Sequence, residues 1–226
     1  MKTLYAWDFH GTLERGTEFV LAAICNILCA EYGVDVKVDG KFIVDHPSFH
    51  WRALFDELAD GALSEDQLQE MSTRAYSDEF FHLNSVHSEP QPGAIDVLQG
   101  VVDNGDSNIV VSNSRPELIA RYVSVVGLSD YFDAILGIES LDPGIAQKYD
   151  VTERKAAEIK EHLASHPGEF DRVVMIGDSH RDIEAGQQVG AITFMFGPLD
   201  TDRAGCEPDF WIDDLTKIEP LLNENA

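Results

Sequence analysis

Four short apolar runs, each followed at once by polar or glycine-containing sequence, constrain the fold of this chain more than any other feature. The runs lie at residues 4–7, 108–111, 173–176 and 192–196. Continuous apolar runs of this length are typical of parallel strands that are buried on both faces. Segments with helical patterns, at 92–102, 116–126, 152–164 and 181–189, alternate with them. This alternation predicts an α/β fold with a doubly wound parallel sheet.

Residues 16–87 interrupt the alternation. Segments 17–32, 49–59 and 64–81 have the pattern of amphipathic helices, and no clear parallel strand separates them. A turn-rich stretch at residues 88–93, with two prolines and a glycine, precedes the return of the α/β pattern. We therefore predict a Rossmann-like core formed by residues 1–15 and 88–226, with a helical insertion at 16–87.

Composition limits the partners and the location that we expect. The 226 residues include 41 acidic and 16 basic side chains, for a formal net charge of −25. Such a surface repels nucleic acid and anionic membranes, so neither is expected as a partner. No run approaches the roughly 18 apolar residues of a membrane helix, and the N-terminus does not resemble a signal peptide. We expect a cytoplasmic protein that is a monomer or a homodimer. Its acidic surface is typical of proteins from a salt-rich cytoplasm, and an ordinary acidic protein is the alternative.

Three polar residues stand at the ends of predicted strands. Asp8, Ser112 and Asp178 each follow an apolar run directly or after one glycine. In parallel sheets, ligands bind beyond the carboxyl ends of the strands. We therefore expect these three distant positions to converge on one site. If that site takes a phosphate ester, so acidic a protein needs a metal ion or local cations there.

Two motifs supply carboxylates to this edge of the sheet. Residues 8–13, Asp-Phe-His-Gly-Thr-Leu, put a carboxylate before a turn that Gly11 makes possible. Residues 177–182, Gly-Asp-Ser-His-Arg-Asp, put two carboxylates four positions apart, and such hard oxygen ligands suit Mg²⁺. The simpler interpretations are a polar strand-to-loop cluster and a helix start capped by Asp178 or Ser179. Capping does not explain why the two motifs occur together.

Together the motifs resemble those of the haloacid dehalogenase superfamily. The family pattern has four motifs: an Asp-x-Asp-Gly-Thr loop as the first, a Ser or Thr after the second strand, a lysine, and Gly-Asp-x-x-x-Asp as the fourth. The matches occur in this order over nearly the whole chain, and residues 131–133 and 189–191 also resemble the family. The insertion is similar in position to the helical type-1 cap of the phosphoglycolate-phosphatase-like branch. The resemblance implies a magnesium-dependent phosphatase that acts on a small phosphorylated metabolite.

The resemblance also implies a role for each matching carboxylate. Asp8 would attack phosphorus and form an aspartyl-phosphate, which divides hydrolysis into two displacements. Mg²⁺ would be held by Asp8, the main-chain carbonyl of His10 and Asp178, with Asp182 as a ligand directly or through water. The ion would offset the repulsion between the attacking carboxylate and the phosphoryl group.

Other matching residues would bind the substrate. The resemblance places four of them after the first and second strands: Gly11, Thr12, Ser112 and the backbone N–H of Asn113. The phosphate-site lysine has two candidates. Lys155 opens the helix before the fourth motif, as in the family, whereas Lys148 matches branches that place the lysine earlier, often before a proline. Tyr149 stands at that following position, and we prefer Lys155.

His10 departs from the family pattern, because it replaces the second aspartate of the first motif. In family phosphatases that aspartate protonates the leaving oxygen and then deprotonates the attacking water. An imidazole, with an ordinary pKa of about 6.5, can do both. Coordination of Mg²⁺ should survive, because the family uses the carbonyl of this residue. A neutral imidazole also puts one negative charge fewer beside the phosphate than an aspartate would.

The departure leaves other functions open. Dehalogenases carry an aromatic residue at this position and generally lack the metal-binding fourth motif. Phosphonatases carry alanine and need a cap lysine for a Schiff base, for which Lys37 and Lys41 are the candidates. A non-catalytic regulatory protein that binds magnesium and phosphate is a further alternative. Five residues of the insertion either face the site or lie on solvated helix faces: His50, Trp51, Arg52, Arg74 and His82.

Overall fold

The computed structural model describes residues 1–46, 51–137, 151–197 and 206–224. The chain divides into two units, one formed by Met1–Glu14 with Pro90–Ala226 and the other by Arg15–Glu89. The boundaries predicted from the sequence, after residues 15 and 87, lie one and two positions from these. We call the first unit the core unit and the second the helical unit.

The core unit contains a six-stranded parallel sheet. Numbered in chain order over both units, the described strands are β1 (Thr3–Trp7), β2 (Glu14–Arg15), β3 (Glu89–Pro90), β4 (Ser107–Ser112), β5 (Ala134–Gly137), β6 (Arg172–Gly177), β7 (Ile192–Phe196) and β8 (Phe210–Ile212). The sheet has the order β5-β4-β1-β6-β7-β8, and β2 and β3 form a separate small sheet. Every neighbouring pair in the large sheet is parallel. The predicted α/β fold with a doubly wound parallel sheet is confirmed, and the edge strands β5 and β8 were not predicted.

Helices form most of the helical unit. They are α1 (Thr17–Glu31), α2 (Gly40–Asp45), α3 (Trp51–Ala59), α4 (Glu65–Ala75) and α5 (Asn84–His87), with a 3₁₀ helix at Asp78–Leu83. The unit has its own hydrophobic core, which includes Leu28, Phe55 and Met71. The sequence predicted a single helix over 64–81. The structure ends α4 at Ala75, and the Ser77 side chain then accepts a hydrogen bond from Glu79 N, which starts the 3₁₀ helix.

The remaining helices cover both faces of the large sheet. They are α6 (Ala94–Asp103), α7 (Pro116–Val125), α8 (Val151–Ser165), α9 (His180–Gln188) and α10 (Ile218–Glu224). Alternate residues of β1 enter different apolar clusters, with Trp7 in the cluster that includes α6 and α7 residues and Ala6 in the cluster that includes α8 residues. This is the period of two that a strand buried on both faces requires. Among the described residues, no helix combines the length and the apolar character needed to cross a membrane.

Candidate active site

Three adjacent strands of the sheet bring the predicted strand-end residues to one edge. β1 lies between β4 and β6, and Trp7 is paired with Val110 on one side and Ile176 on the other. Asp8 follows Trp7, and its backbone N–H donates to the carbonyl of Ile176 at 2.8 Å. The carboxyl ends of parallel strands lie at the same edge of a sheet. The first and fourth motifs therefore meet at that edge, as the sequence predicted.

Three carboxylates converge at this edge. One oxygen from each of Asp8, Asp178 and Asp182 lies within 4.8 Å of the other two. Asp8 and Asp182 are buried, and Asp178 is half-buried. Carboxylates this close repel one another unless a cation lies among them, and hard oxygen donors suit Mg²⁺. The donor set therefore fits a divalent cation.

Lys155 supplies a positive charge to the same cluster. Its Nζ donates to Asp8 Oδ1 at 2.6 Å and to Asp182 Oδ1 at 2.5 Å, and the side chain is 1% exposed. Burial by itself lowers the pKa of Lys155, but the carboxylates of Asp182 and Asp8 together outweigh burial and raise it. Burial raises the pKa of Asp8 to about 6, although the attraction of Lys155 opposes that rise. The preferred lysine thus contacts the candidate nucleophile, whereas Lys148 lies outside the described residues.

The two aspartates of the fourth motif differ in their contacts. Asp182 Oδ2 accepts hydrogen bonds from the backbone N–H of Ser179 at 3.1 Å and from its hydroxyl at 2.6 Å. These bonds belong to the capping box at the start of α9. Its other oxygen accepts from Lys155. A Cβ at position 177 would lie 2.3 Å from Asp182 Cβ, so glycine is required there. Both oxygens of Asp182 are bound by protein donors, which favours a positioning role over direct metal coordination.

Asp178 lies against the loop that follows β1. A Cβ at position 11 would lie 2.4 Å from Asp178 Oδ2, and Gly11 has a φ of 84°. Both the left-handed backbone and the close approach of a carboxylate favour glycine at position 11. The predicted role of Gly11 in making the turn therefore has a second physical basis: it lets the first and fourth motifs come together.

His10 contacts a carboxylate that the sequence analysis did not single out. Its Nδ1 lies 2.9 Å from Glu14 Oε2, and the exposed fractions of the two side chains are 27% and 1%. The described loop between them is not helical, so the four-residue spacing gave no helical signal. The sequence itself offers only an acidic residue four positions after His10, which is a weak signal in a chain with 41 acidic residues.

A comparison with known protein families decides the family. The family model described as haloacid dehalogenase-like hydrolase matches residues 5–196. The chain belongs to this family. The superfamily predicted from the motifs is confirmed, and the matched residues include Asp8, Lys155 and both aspartates of the fourth motif.

Individual relatives agree with this family. The chain is 30% identical over 139 residues to a phosphoglycolate phosphatase of Agrobacterium fabrum, a match that covers 61% of this chain and 56% of that enzyme. It is 22% identical over 221 residues to pyrophosphatase PpaX of Bacillus cereus, covering 96% and 95% of the two chains. The crystal structure of a predicted phosphoglycolate phosphatase from Haemophilus somnus is similar, with a TM-score of 0.75 at 17% identity, and the match covers 97% of each chain. The chain thus spans a little over half the length of the first relative.

The remaining family positions have different surroundings. Ser112 is buried at the end of β4, and its hydroxyl accepts a hydrogen bond from Ser114 N at 3.2 Å. Asn113, whose backbone N–H is predicted to bind phosphate, is exposed. Thr12 is fully buried, and among the described residues its hydroxyl has no hydrogen-bond partner. The substrate-binding roles of these residues stay predictions, and the burial of Thr12 favours a role within the loop.

The candidates in the insertion are mostly engaged within the helical unit. Trp51 is buried in the core of that unit and stacks on Phe55. The other described candidates have polar partners: Arg52 pairs with Glu65, Arg74 with Glu31 and Glu79, and His82 with the carbonyl of Glu79. His50 lies outside the described residues. These contacts favour the interpretation that the described candidates are solvated or structural residues of the helical unit and do not bind the substrate.

Proposed function

We propose that this chain is a magnesium-dependent phosphatase that hydrolyses a small phosphorylated metabolite through an aspartyl-phosphate on Asp8. The observation that carries the proposal is the buried cluster in which Asp8 and Asp182 share Lys155, beside Asp178. A carboxylate held next to a buried cation and two further carboxylates is arranged to receive a metal ion and a phosphate dianion together.

The metal would be held by Asp8, Asp178 and the main-chain carbonyl of His10. When bound, Mg²⁺ neutralises charge between the attacking carboxylate and the phosphoryl group. Asp182, bound by Ser179 and Lys155, would keep Lys155 in place rather than coordinate directly. The Lys155 ammonium, held among carboxylates, would add positive charge to the phosphate site.

The chain's own residues would carry two displacements. A carboxylate oxygen of Asp8 forms a bond to phosphorus while the bond from phosphorus to the leaving oxygen breaks, and His10 gives that oxygen a proton. His10 then takes a proton from a water molecule, whose oxygen bonds to phosphorus as the bond to Asp8 breaks. The products are the alcohol, inorganic phosphate and the original Asp8 carboxylate.

The relatives support a small substrate. They are named phosphoglycolate phosphatase and pyrophosphatase, so the substrates in their names are compact and strongly anionic. We propose a substrate of this class for this chain, with neither nucleic acid nor membrane as a partner at a net charge of −25. Cytoplasmic location and a monomeric or homodimeric state stay predictions.

The phosphonatase alternative has less support. It needs a lysine that can form a Schiff base, which is favoured by burial or a neighbouring cation. Lys37 and Lys41 are both exposed, and Lys41 is paired with Asp45. Neither environment favours the neutral amine that Schiff-base formation requires.

Replacing the candidate nucleophile tests the proposal. Asp8→Asn should lower turnover of p-nitrophenyl phosphate, or of a better substrate from a panel of phosphorylated metabolites, by at least about 10³-fold. A metal chelator should abolish turnover in the unmodified protein, and added Mg²⁺ should restore it. Asp130→Asn, at an exposed position of the same unit, is the matched control and should keep full activity. Full activity of Asp8→Asn, or turnover in the presence of chelator, would refute the proposed mechanism. Binding of Mg²⁺ and phosphate without turnover would favour the regulatory alternative.

A further inference from the structure

The loop after β1 is closed by a set of backbone hydrogen bonds. Both Leu13 N and Glu14 N donate to the carbonyl of Phe9, at 2.9 and 3.0 Å. Gly11 N in turn donates to the carbonyl of Glu14 at 3.0 Å. The left-handed backbone of Gly11 makes this tight closure possible. As a result, positions 10 and 14 face each other across the loop although no helix connects them.

The imidazole of His10 is held on several sides. Its Nδ1 is within hydrogen-bond distance of the Glu14 carboxylate, at 2.9 Å. The rings of Phe9 and Tyr122 each meet it edge to face, with centroids 5.0 Å away. When Glu14 is ionised, its carboxylate only accepts hydrogen bonds, and Nδ1 then carries the hydrogen in this contact. The other ring nitrogen, Nε2, is then the one that can exchange a proton.

We propose that Glu14 is the positioning residue of His10, and this inference rests on the proposed phosphatase function. Glu14 accepts the Nδ1–H of His10 and thereby fixes the orientation and the tautomer of the ring. Nε2–H then gives its proton to the leaving oxygen as the phosphorus–oxygen bond breaks. In the second displacement the Nε2 lone pair takes a proton from the attacking water.

The charge of the pair supports this role. With an ionised Glu14, the pair is neutral when His10 carries both ring hydrogens and has a charge of −1 when Nε2 has lost its hydrogen. A single carboxyl group has the same two charges with and without its proton. His10 and Glu14 together therefore replace, in charge, the aspartate that the family pattern has at position 10.

The burial of Glu14 also costs free energy, which an interaction of its carboxylate must offset. A carboxylate with a 1% exposed side chain is expensive to remove from water unless it has hydrogen-bonding partners. A purely structural glutamate that ties the loop together would explain this burial as well. The experiments must therefore separate control of the proton-transfer group from stabilisation of the loop.

The first experiment measures the tautomer of His10 without any turnover. In protein labelled with ¹⁵N on histidine side chains, at about pH 8.5 where an ordinary histidine is neutral, we expect the hydrogen on Nδ1. Glu14→Leu should shift the population towards the Nε2–H form, and the nearly isosteric Glu14→Gln should retain Nδ1–H because its amide oxygen accepts. An Nε2–H tautomer in the unmodified protein, or no change in Glu14→Leu, would overturn the inference. This measurement decides the inference even if no phosphate ester is hydrolysed, an outcome that would count against the proposed function alone.

The second experiment measures leaving-group dependence. Glu14→Leu should lower kcat for an alkyl phosphate by about 10- to 100-fold, a part of the roughly 10²–10⁴-fold contribution of proton transfer. It should leave the single-turnover release of p-nitrophenolate, measured with the protein in excess, nearly unchanged, because that leaving group needs little protonation in the first displacement. In a His10→Ala background, Glu14→Leu should cause no further loss, since Glu14 acts through His10. Equal losses in alkyl phosphate turnover and in single-turnover release of p-nitrophenolate, or additive losses in the double variant, would show a structural role instead. If Glu14→Leu fails to fold, Glu14→Gln carries the same test with a smaller expected loss.

Discussion

Two loops meet at the carboxyl edge of the sheet, and they hold their side chains in different ways. After β6, Asp182 lies in the first turn of α9, where the helix-capping residue Ser179 fixes it and Gly177 leaves room for it. In the loop after β1, Asp8 is held by Lys155 from a distant helix, while His10 is held by Glu14 of the same loop. The loop after β6 keeps the family pattern in full, whereas the loop after β1 departs from it at position 10.

The difference shows how a departure from a motif should be interpreted. Taken alone, His10 removes a negative charge from the site. The contact with Glu14 brings a carboxylate next to the imidazole, with Glu14 Oε2 2.9 Å from His10 Nδ1. A departure from the motif should therefore be considered together with the residue that contacts it, and here that residue, Glu14, lies outside the motif. Three predictions test this comparison of the two loops.

The largest effect should come from removing the imidazole. His10→Ala should lower turnover of an alkyl phosphate by roughly 10²–10⁴-fold, because the positioned proton donor and acceptor is lost. Its Mg²⁺ affinity should stay near that of the unmodified protein, since the proposed ligand is the main-chain carbonyl. Kinetics with alkyl and p-nitrophenyl phosphates, together with metal titration, measure both quantities. The control is His166→Ala, which replaces a half-buried histidine directly after α8. Unchanged alkyl phosphate turnover in His10→Ala would show that this side chain is not the acid.

A smaller effect should follow from removing the cation that joins the two loops. Lys155→Met leaves the buried carboxylates of Asp8 and Asp182 without their shared partner, and breaking a buried pair in this way costs about 3–5 kcal/mol. Urea unfolding in chelator should reveal this loss in the free energy of unfolding. Saturating Mg²⁺ should recover much of it, because the ion binds the folded state and neutralises the same carboxylates.

A matched control for this variant lies on the same helix. Lys160 is exposed on α8, so Lys160→Met should change the free energy of unfolding by no more than about 0.5 kcal/mol. If Lys155→Met were as stable as the unmodified protein in chelator, the buried cluster would not be held together by its charges.

The sequence predicted those parts of the fold whose signal is local. The four strands of the sheet centre were found because each is a continuous apolar run. β5 and β8 were missed because edge strands are less buried: Ile135 and Leu136 of β5 are half-buried, and Trp211 of β8 is exposed. The helix predicted over 64–81 was too long because the apolar periodicity continues past Ala75 into the 3₁₀ helix.

The site was predictable to the extent that it follows from topology. Asp8 and Asp178 could be brought together from the sequence because both follow parallel strands at the same edge. The pairing of Lys155 with Asp182, and the division of roles between Asp178 and Asp182, depend on side-chain directions that no sequence spacing gives. Glu14 was missed because its contact with His10 depends on the turn at Gly11, whose φ is 84°.

The smallest expected effect tests whether the residue at position 14 controls the function of the residue at position 10. His10→Asp restores the Asp-x-Asp-Gly-Thr pattern but places a second carboxylate beside the buried Glu14. Two carboxyl groups this close either repel each other or share one proton. Both effects direct the new carboxyl group towards or away from Glu14 instead of towards the leaving oxygen, so it should work poorly as an acid and a base. Adding Glu14→Leu removes the repulsion. We therefore expect the double variant His10→Asp/Glu14→Leu to turn over an alkyl phosphate about tenfold faster than His10→Asp, a difference of about 1.4 kcal/mol in activation free energy. Parallel kinetics of the two variants, with Glu14→Leu alone as the reference, measure the difference. Higher activity in His10→Asp than in the unmodified protein would mean that Glu14 does not constrain position 10, and that this chain has moved away from efficient hydrolysis towards slow turnover or regulation.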